Sequence, residues 1–545
     1  VLLADPHAGV RRVLAGTEAQ SSVAMSGMLF DTSPAAVVFA RQLETGLDLT
    51  DADLTVASSA AVGLQVPLLV VGPGGSDGAT VDAELTRLGV ETVIGYGDPA
   101  ADWAALIGQR ALVVGPTEAA DFDGVLDVST TPEAVPESDV AASIGRLSAD
   151  DARLLTLEPA PAATPTPSDP GPATPGPAST TSTDSVLADT ATAARVPPFT
   201  PAGEPIDALV LATPSSAPAP LATARAAGID VELVADADPR STSTAVDAVR
   251  SRADGAVLAV GAAFGAQEVF AQRVQVAATA PQLPGGGQTV FPGRRMVALY
   301  GHPSGPSLGA LGEQGIDETI ARVKGLAARY QPFSDEPVVP ALDLIATIAS
   351  AEPGTDGDYS SETPIDVLRP WVDAAEEQGV YVVLDLQSGR SDFLSQARLY
   401  EELLTRPTVG LALDPEWRLL PGERPLQQIG SVSAAEINAT TAWLADLTRD
   451  RALPQKLVMV HQFRIDMISY RADLDVSRSE LAVTLHADGH GTPGQKLDTW
   501  SALQGVSPAG TWPSWKNFHD EDQPMLTPEQ TYSLVDPKPW LVTYQ

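Results

Sequence analysis

From about Phe291 to the last residue, eight short apolar runs recur, and most of the intervals between them carry a helical pattern. Few architectures accept that rhythm. The runs are RRMVALYG (294–301), VVPALDLIATIAS (338–350), VYVVLDLQ (380–387), VGLALD (409–414), KLVMVHQF (456–463), LAVTLHAD (481–488), GTWPSWKNF (about 510–518) and PWLVTY (539–544). Between them lie GIDETIARVKGLAARY, PIDVLRPWVDAAEEQG, SQARLYEELLTR and SAAEINATTAWLADLTRDRAL, which read as helices. Strand-then-helix repetition on this scale predicts a (β/α)8 barrel over residues 291–545, with the seventh run the weakest strand pattern.

The stretch before the barrel also alternates. DLTVASS, VPLLVVG, ETVIGYG and RALVVG read as strands, with ATVDAELTRLG as an amphipathic helix between two of them. After residue 205 the pattern returns in IDALVLATPSS, PLATARAAGI, DVELVADAD and AVDAVRSRADGAVLAVG. These stretches separate at PAPAATPTPSDPGPATPGPASTTSTDS (159–185), whose Pro/Thr/Ser/Gly composition cannot bury enough surface to offset chain entropy. The expected organisation is α/β throughout. An α/β segment (1–150) is followed by a disordered linker (151–204), a second, related α/β segment (205–290) and the TIM barrel (291–545).

Leu54 to Asp98 resembles the cell-wall-binding repeat 2 family in its order of strand, small-residue helix, strand ending in Gly, helix closed by LG, and strand ending near Gly-Asp. That resemblance implies attachment to cell-wall polymers, and the tether composition suits an extracellular or surface-associated protein. VGPGGSDGAT lacks the Lys-Ser/Thr that a phosphate-binding loop requires, which argues against nucleotide binding.

Composition narrows the partners. With 33 Lys+Arg against 70 Asp+Glu the formal charge is -37, a poor match to nucleic acid or anionic lipid. Cysteine is absent, which removes disulfides, thiolate metal sites and a cysteine nucleophile. No apolar stretch reaches the ~18 residues of a membrane span. The opening VLLADPHAGV has no basic start followed by an apolar core, so no export signal is expected within it.

In (β/α)8 barrels chemistry gathers at the C-terminal strand ends. Those ends carry His302, then Glu352, then Asp385 and Gln387, then Asp414, Glu416 and Trp417. Further on come His461 and Gln462, then His486, Asp488 and His490, and finally Trp515, Lys516 and His519. Five of the chain's six histidines fall at these ends. LALDPEW (411–417) places two carboxylates two residues apart, and a strand's period of two would send both to one side. Such a pair suits glycoside hydrolysis, because a neighbouring negative charge keeps one carboxyl protonated for the leaving oxygen.

The same heptapeptide resembles the aspartate-x-glutamate strand end of barrel-fold glycoside hydrolases, notably the family 25 lysozymes and more loosely the family 18 chitinases. The resemblance implies Glu416 as proton donor and Asp414 as its partner; Asp385 is the further catalytic candidate. His302, Gln387, Trp417, His461, Gln462, His486, Asp488, His490, Trp515 and Lys516 are candidates for holding a carbohydrate polymer, the aromatic rings suiting the apolar faces of pyranoses. Two alternatives stand beside this reading. One is a metal-dependent hydrolase with His461, His486, His490, Asp385 and Asp488 as ligands, disfavoured because no ligand pair has a recognised spacing, so that no metal or cofactor is expected. The other is a non-catalytic envelope-binding protein.

Overall fold

The computed structural model describes residues 1–545 apart from 5–8, 14–15, 42–51, 99–100, 159–190, 204 and 253; the linker expected at 159–185 therefore lies outside the described residues. The chain forms two compact units, Val1–Pro239 with Asp247–Val274, and Arg240–Val246 with Gln275–Gln545. Among the described residues no helix is long and apolar enough to cross a membrane.

The first unit holds two four-stranded parallel sheets. One runs in the order Leu68–Val71, Ala35–Ala40, Thr92–Gly97, Ala111–Val114, and the other Asp230–Leu233, Ala208–Ala212, Ala256–Val260, Gly9–Val13. The segment read as a strand at 53–59 is instead part of the helix Ala52–Leu64. Its small residues are buried almost all round, as alanine and serine allow for a helix packed between layers. The strand in that region is AAVVFA, Ala35–Ala40, with all six residues buried. Thr223, on the helix Pro218–Ala226, accepts from Leu68 N and donates to Leu68 O, each at 3.1 Å, so the later segment helps to hold the first sheet. Gly9–Val13 pairs with Ala256–Val260, so the sheet of the later segment borrows its edge from the start of the chain. The boundary expected at 151 falls within structure, because Arg153–Leu157 pairs in parallel with Thr131–Val135 and buries Leu154 and Leu155.

The second unit is a closed barrel of eight parallel strands: β1 Arg295–Gly301, β2 Val338–Ala349, β3 Tyr381–Leu386, β4 Val409–Leu413, β5 Lys456–Gln462, β6 Leu481–Ala487, β7 Trp512–Asn517 and β8 Leu541–Tyr544. Closure is made by β1, which pairs with both β2 and β8. Helices follow most strands, among them Ile316–Tyr330, Ile365–Glu377, Ala434–Asp450 and Pro493–Gln504. The stretch between β5 and β6 carries no α-helix but two 3-10 turns, Ile465–Met467 and Arg471–Asp473, and the short strand Ile468–Ser469, which pairs with Val432–Ser433.

Alternation along the strands sorts the core into two layers. Leu342, Leu344, Val382, Leu384, Leu411, Leu413, Val458 and Val460 face outward and pack with Ile320, Val323, Leu368, Val372 and Leu444 of the helices. Inward, Met296 and Ala298, Val339 and Ala341, Tyr381 and Val383, and Leu457 and Met459 form a separate apolar cluster with Ala412, Ala482 and Leu541. One more step of two along the same strands reaches Tyr300, Asp343, Asp385, Asp414 and His461, and two steps beyond Ala482 lies His486. The barrel interior thus changes from apolar to ionisable at a single level, just below the C-terminal rim.

Candidate active site

At that rim lies a cavity of about 520 Å³, lined among others by Tyr300, Gln387, Asp414, Glu416, Trp417, Phe463, Asp488, His490, Lys516 and Phe518. The turn at two of these carboxyls differs from the sequence expectation. β4 ends at Leu413, and Pro415–Trp417 forms one 3-10 turn rather than further strand. The Asp414 carboxylate caps it by accepting from Glu416 N at 3.1 Å. Proline at the first position of the turn needs no hydrogen-bond partner for its nitrogen, and the short polar side chain before it satisfies the next free N–H. Asp414 therefore keeps the parity of the strand, whereas Glu416 reaches the cavity through the turn. Asp414 is buried, whereas Glu416 and Trp417 are partly exposed.

Below and beside this pair the charges are dense. Asp343, Asp385 and His461 are fully buried. His461 Nδ1 lies 2.9 Å from an Asp488 oxygen, and its Nε2 lies 3.9 Å from Asp385. Burial alone would push the His461 imidazolium down, but Asp385, the hydrogen bond with Asp488 and the charge of Asp414 outweigh it and raise its pKa to about 10. Burial, then the charge of Asp385, pushes Asp343 up to about 7. Asp414 is pushed well above the usual carboxylate range by burial and then by Asp385, Asp488 and Glu416, with His461 opposing. Glu416 is raised by burial first and Asp488 second, while Lys516 and His461 pull it down. The Lys516 ammonium sits over the Tyr300 ring at 3.7 Å, and its strand end is held by Lys496 Nζ, which donates to Lys516 O at 2.7 Å and pairs with Asp522.

The remaining candidates separate by position. Gln387 lines the cavity and donates to the Tyr300 hydroxyl at 3.0 Å while its carbonyl accepts from Ala349 N. His490 is exposed at the mouth, its ring set against Phe518 at 5.7 Å. His486 is buried, and its two nitrogens are engaged by Ser514 and Thr543 at 2.9 Å each. His302 is likewise held by Ser304 and Thr363, and it does not line the cavity. Gln462 is buried and accepts from Arg471. Trp515 is a correction: its ring packs outward on Trp500 at 5.6 Å with its N–H on Asn517, because the period of two along β7 sends Lys516, not Trp515, to the cavity. Trp512 joins Phe291 and Trp540 in the apolar floor.

Asp343, Tyr300 and Phe463 were not singled out from sequence. The signal for Asp343 is present, a lone acid inside the apolar run VVPALDLIATIA at the parity of Val339 and Ala341. It sits in mid-strand, six residues before Ala349, where strand-end reasoning does not look. Two groups among the described residues bring metal-ligand atoms together: buried Asp343, Asp385 and His461, and the largely exposed loop acids Asp356, Asp358 and Glu362.

No family model matches the chain, and no curated protein matches it. Among solved structures, Cwp6 from Clostridium difficile is similar at 13% sequence identity with a TM-score of 0.34, the match covering 64% of this chain and 64% of that one.

Proposed function

We propose that the barrel is a glycoside hydrolase acting on a polysaccharide. The observation that carries this reading is Glu416, a carboxyl whose affinity for its proton is raised by burial and by Asp488, placed on the wall of an open cavity between Trp417 and further carboxyls. A protonated carboxyl at such a wall can protonate a glycosidic oxygen as the bond breaks. The negative charge of Asp488, in turn, would stabilise the positive charge that develops on the sugar ring. Trp417, Phe463 and Phe518 offer flat apolar surfaces for pyranose faces, and Gln387, Lys516 and His490 offer polar groups for hydroxyls. The acidic surface suits a neutral polymer. The resemblance of Leu54–Asp98 to wall-binding repeats, with the Pro/Thr/Ser-rich composition of 159–185, supports an exported protein whose first unit meets cell-wall polymers.

The test is turnover of the full chain on a panel of envelope and plant polysaccharides, wild type beside Glu416→Gln. Loss of the transferable proton with retention of shape is expected to lower kcat by ~10² to 10⁴ with KM nearly unchanged, and to spare substrates with activated leaving groups. Unchanged kcat in a folded Glu416→Gln protein would remove Glu416 from the chemistry.

A further inference from the structure

We propose that Asp343, Asp385 and Nε2 of His461 form a binding site for one divalent first-row transition-metal ion, sealed beneath the cavity floor. Buried carboxylates are costly unless paired or bound to a cation. Asp343 is fully buried, and neither of its oxygens has a hydrogen-bond partner. Asp385 is fully buried as well, and its oxygens make no hydrogen bond of good geometry, although the Tyr300 hydroxyl stands near enough to favour its ionised form. His461 Nε2 is buried and without a hydrogen-bond partner as well. One atom from each of these residues lies within 4.8 Å of the others; ligand atoms bonded to one ion at ~2.0 to 2.2 Å stand no more than ~4.4 Å apart, so a small rotation of these side chains closes the set around an ion.

The surroundings favour an ion over a proton on Nε2. Asp488 accepts from His461 Nδ1 at 2.9 Å, the arrangement by which a carboxylate fixes the tautomer of a ligating histidine and turns the other lone pair toward a metal. If Nε2 carried a proton for Asp385, the two would close to hydrogen-bond length, yet they stand 3.9 Å apart. His486, at 5.0 Å ring to ring, has both nitrogens engaged elsewhere and is no competitor. Two carboxylates and an imidazole suit Mn²⁺, Fe²⁺ or Zn²⁺ better than Mg²⁺ or Ca²⁺, which favour oxygen alone.

The ligands come from β2, β3 and β5, so no short sequence spacing records them. None of the three lines the cavity. The ion is therefore structural and electrostatic, offsetting the carboxylates under the floor, and its existence does not depend on the glycosidase reading.

The experiment is metal analysis by mass spectrometry of the full chain, both as isolated and after chelator treatment followed by Mn²⁺ or Zn²⁺ and gel filtration. About one equivalent is expected to remain in the wild type, in Glu416→Gln and in Asp358→Asn, the last of which disables the exposed acidic loop instead. Asp343→Asn and His461→Gln are expected to lose it, and Asp488→Asn to weaken affinity ~10- to 100-fold. Asp343→Asn keeps the side-chain volume and removes a charge, so it should fold, and its circular dichroism verifies that. Wild type without retained metal in both preparations, or equal retention in folded Asp343→Asn, would overturn the site and leave a His461 imidazolium between Asp385 and Asp488 as the arrangement.

Discussion

Asp414 and Glu416 are two residues apart, yet they titrate against different neighbours. Asp414 is raised in part by Glu416, whereas Glu416 is raised by burial and Asp488 and is not influenced by Asp414. Asp414 is the deeper of the two, so burial weighs more heavily on it. As a proton donor, Glu416 works below its raised pKa and fails above it, which makes it the alkaline limb of kcat/KM. Asp488→Asn removes the opposing negative charge and is expected to move that limb to lower pH. Lys516 pulls Glu416 down, so Lys516→Gln is expected to move the limb to higher pH. Asp414→Asn should leave it nearly in place. A pH–rate profile of the three variants checks the signs, and a limb that moves the same way in all three would mean that another group sets it.

At the scale of elements, strand alternation and one notch decide how the site is carried. Pairing between β4 and β5 runs from Leu411 with Val458 onward, and just below it the Tyr381 hydroxyl crosses from β3 to accept from Leu457 N at 3.1 Å. Gly410 makes room for that crossing, since a Cβ there would stand 2.6 Å from Leu457 O and 3.1 Å from the Tyr381 hydroxyl. Gly410→Ala is therefore expected to destabilise the barrel by ~1 to 3 kcal/mol through overpacking against backbone, read as a lower denaturant midpoint with an unchanged m value. LALDPEW is the other instructive element. Two carboxylates and a tryptophan are plain in the sequence, but proline ends the strand, so a capped turn rather than the pleat delivers Glu416 and Trp417. Strand ends were legible to within a residue or two for all eight strands, because inward and outward faces are both apolar below the rim. The DLTVASS segment was not, because small residues serve a buried helix and a strand equally well, and only packing chooses between them.

Over the whole molecule, the second unit does not begin at the first barrel strand. Leu283, Val290 and Phe291 belong to the inner apolar cluster of the barrel. Gln288 ties the stretch down: its amide donates to Ala280 O at 2.7 Å, its N–H to Arg240 O at 2.6 Å, and its carbonyl accepts from Gln455 N at 2.9 Å. Arg240 itself reaches Ser479 O at 2.9 Å. A chain beginning at Gln275 is expected to melt cooperatively, whereas one beginning at Phe291 should melt lower or aggregate, since it exposes the floor of its own core. Calorimetry of the two chains decides it; equal melting temperatures would show that the floor contributes little.

Alternating apolar runs with helical intervals were enough to determine the barrel, and the ends of those runs were enough to name most of the acids and histidines near its rim, though not Asp343. Both are local facts, set by the period of a strand. What only the tertiary structure decided is which of those groups share a neighbourhood. Asp343, Asp385 and His461 lie on separate strands, scores of residues apart in the chain, and closing the sheet brings their atoms within 4.8 Å. The same closure turns Trp515 outward onto Trp500 and engages both nitrogens of His486, so two residues that look alike to Trp417 and His461 in sequence do different work. Charge and burial act through space, and a sequence records only distance along the chain.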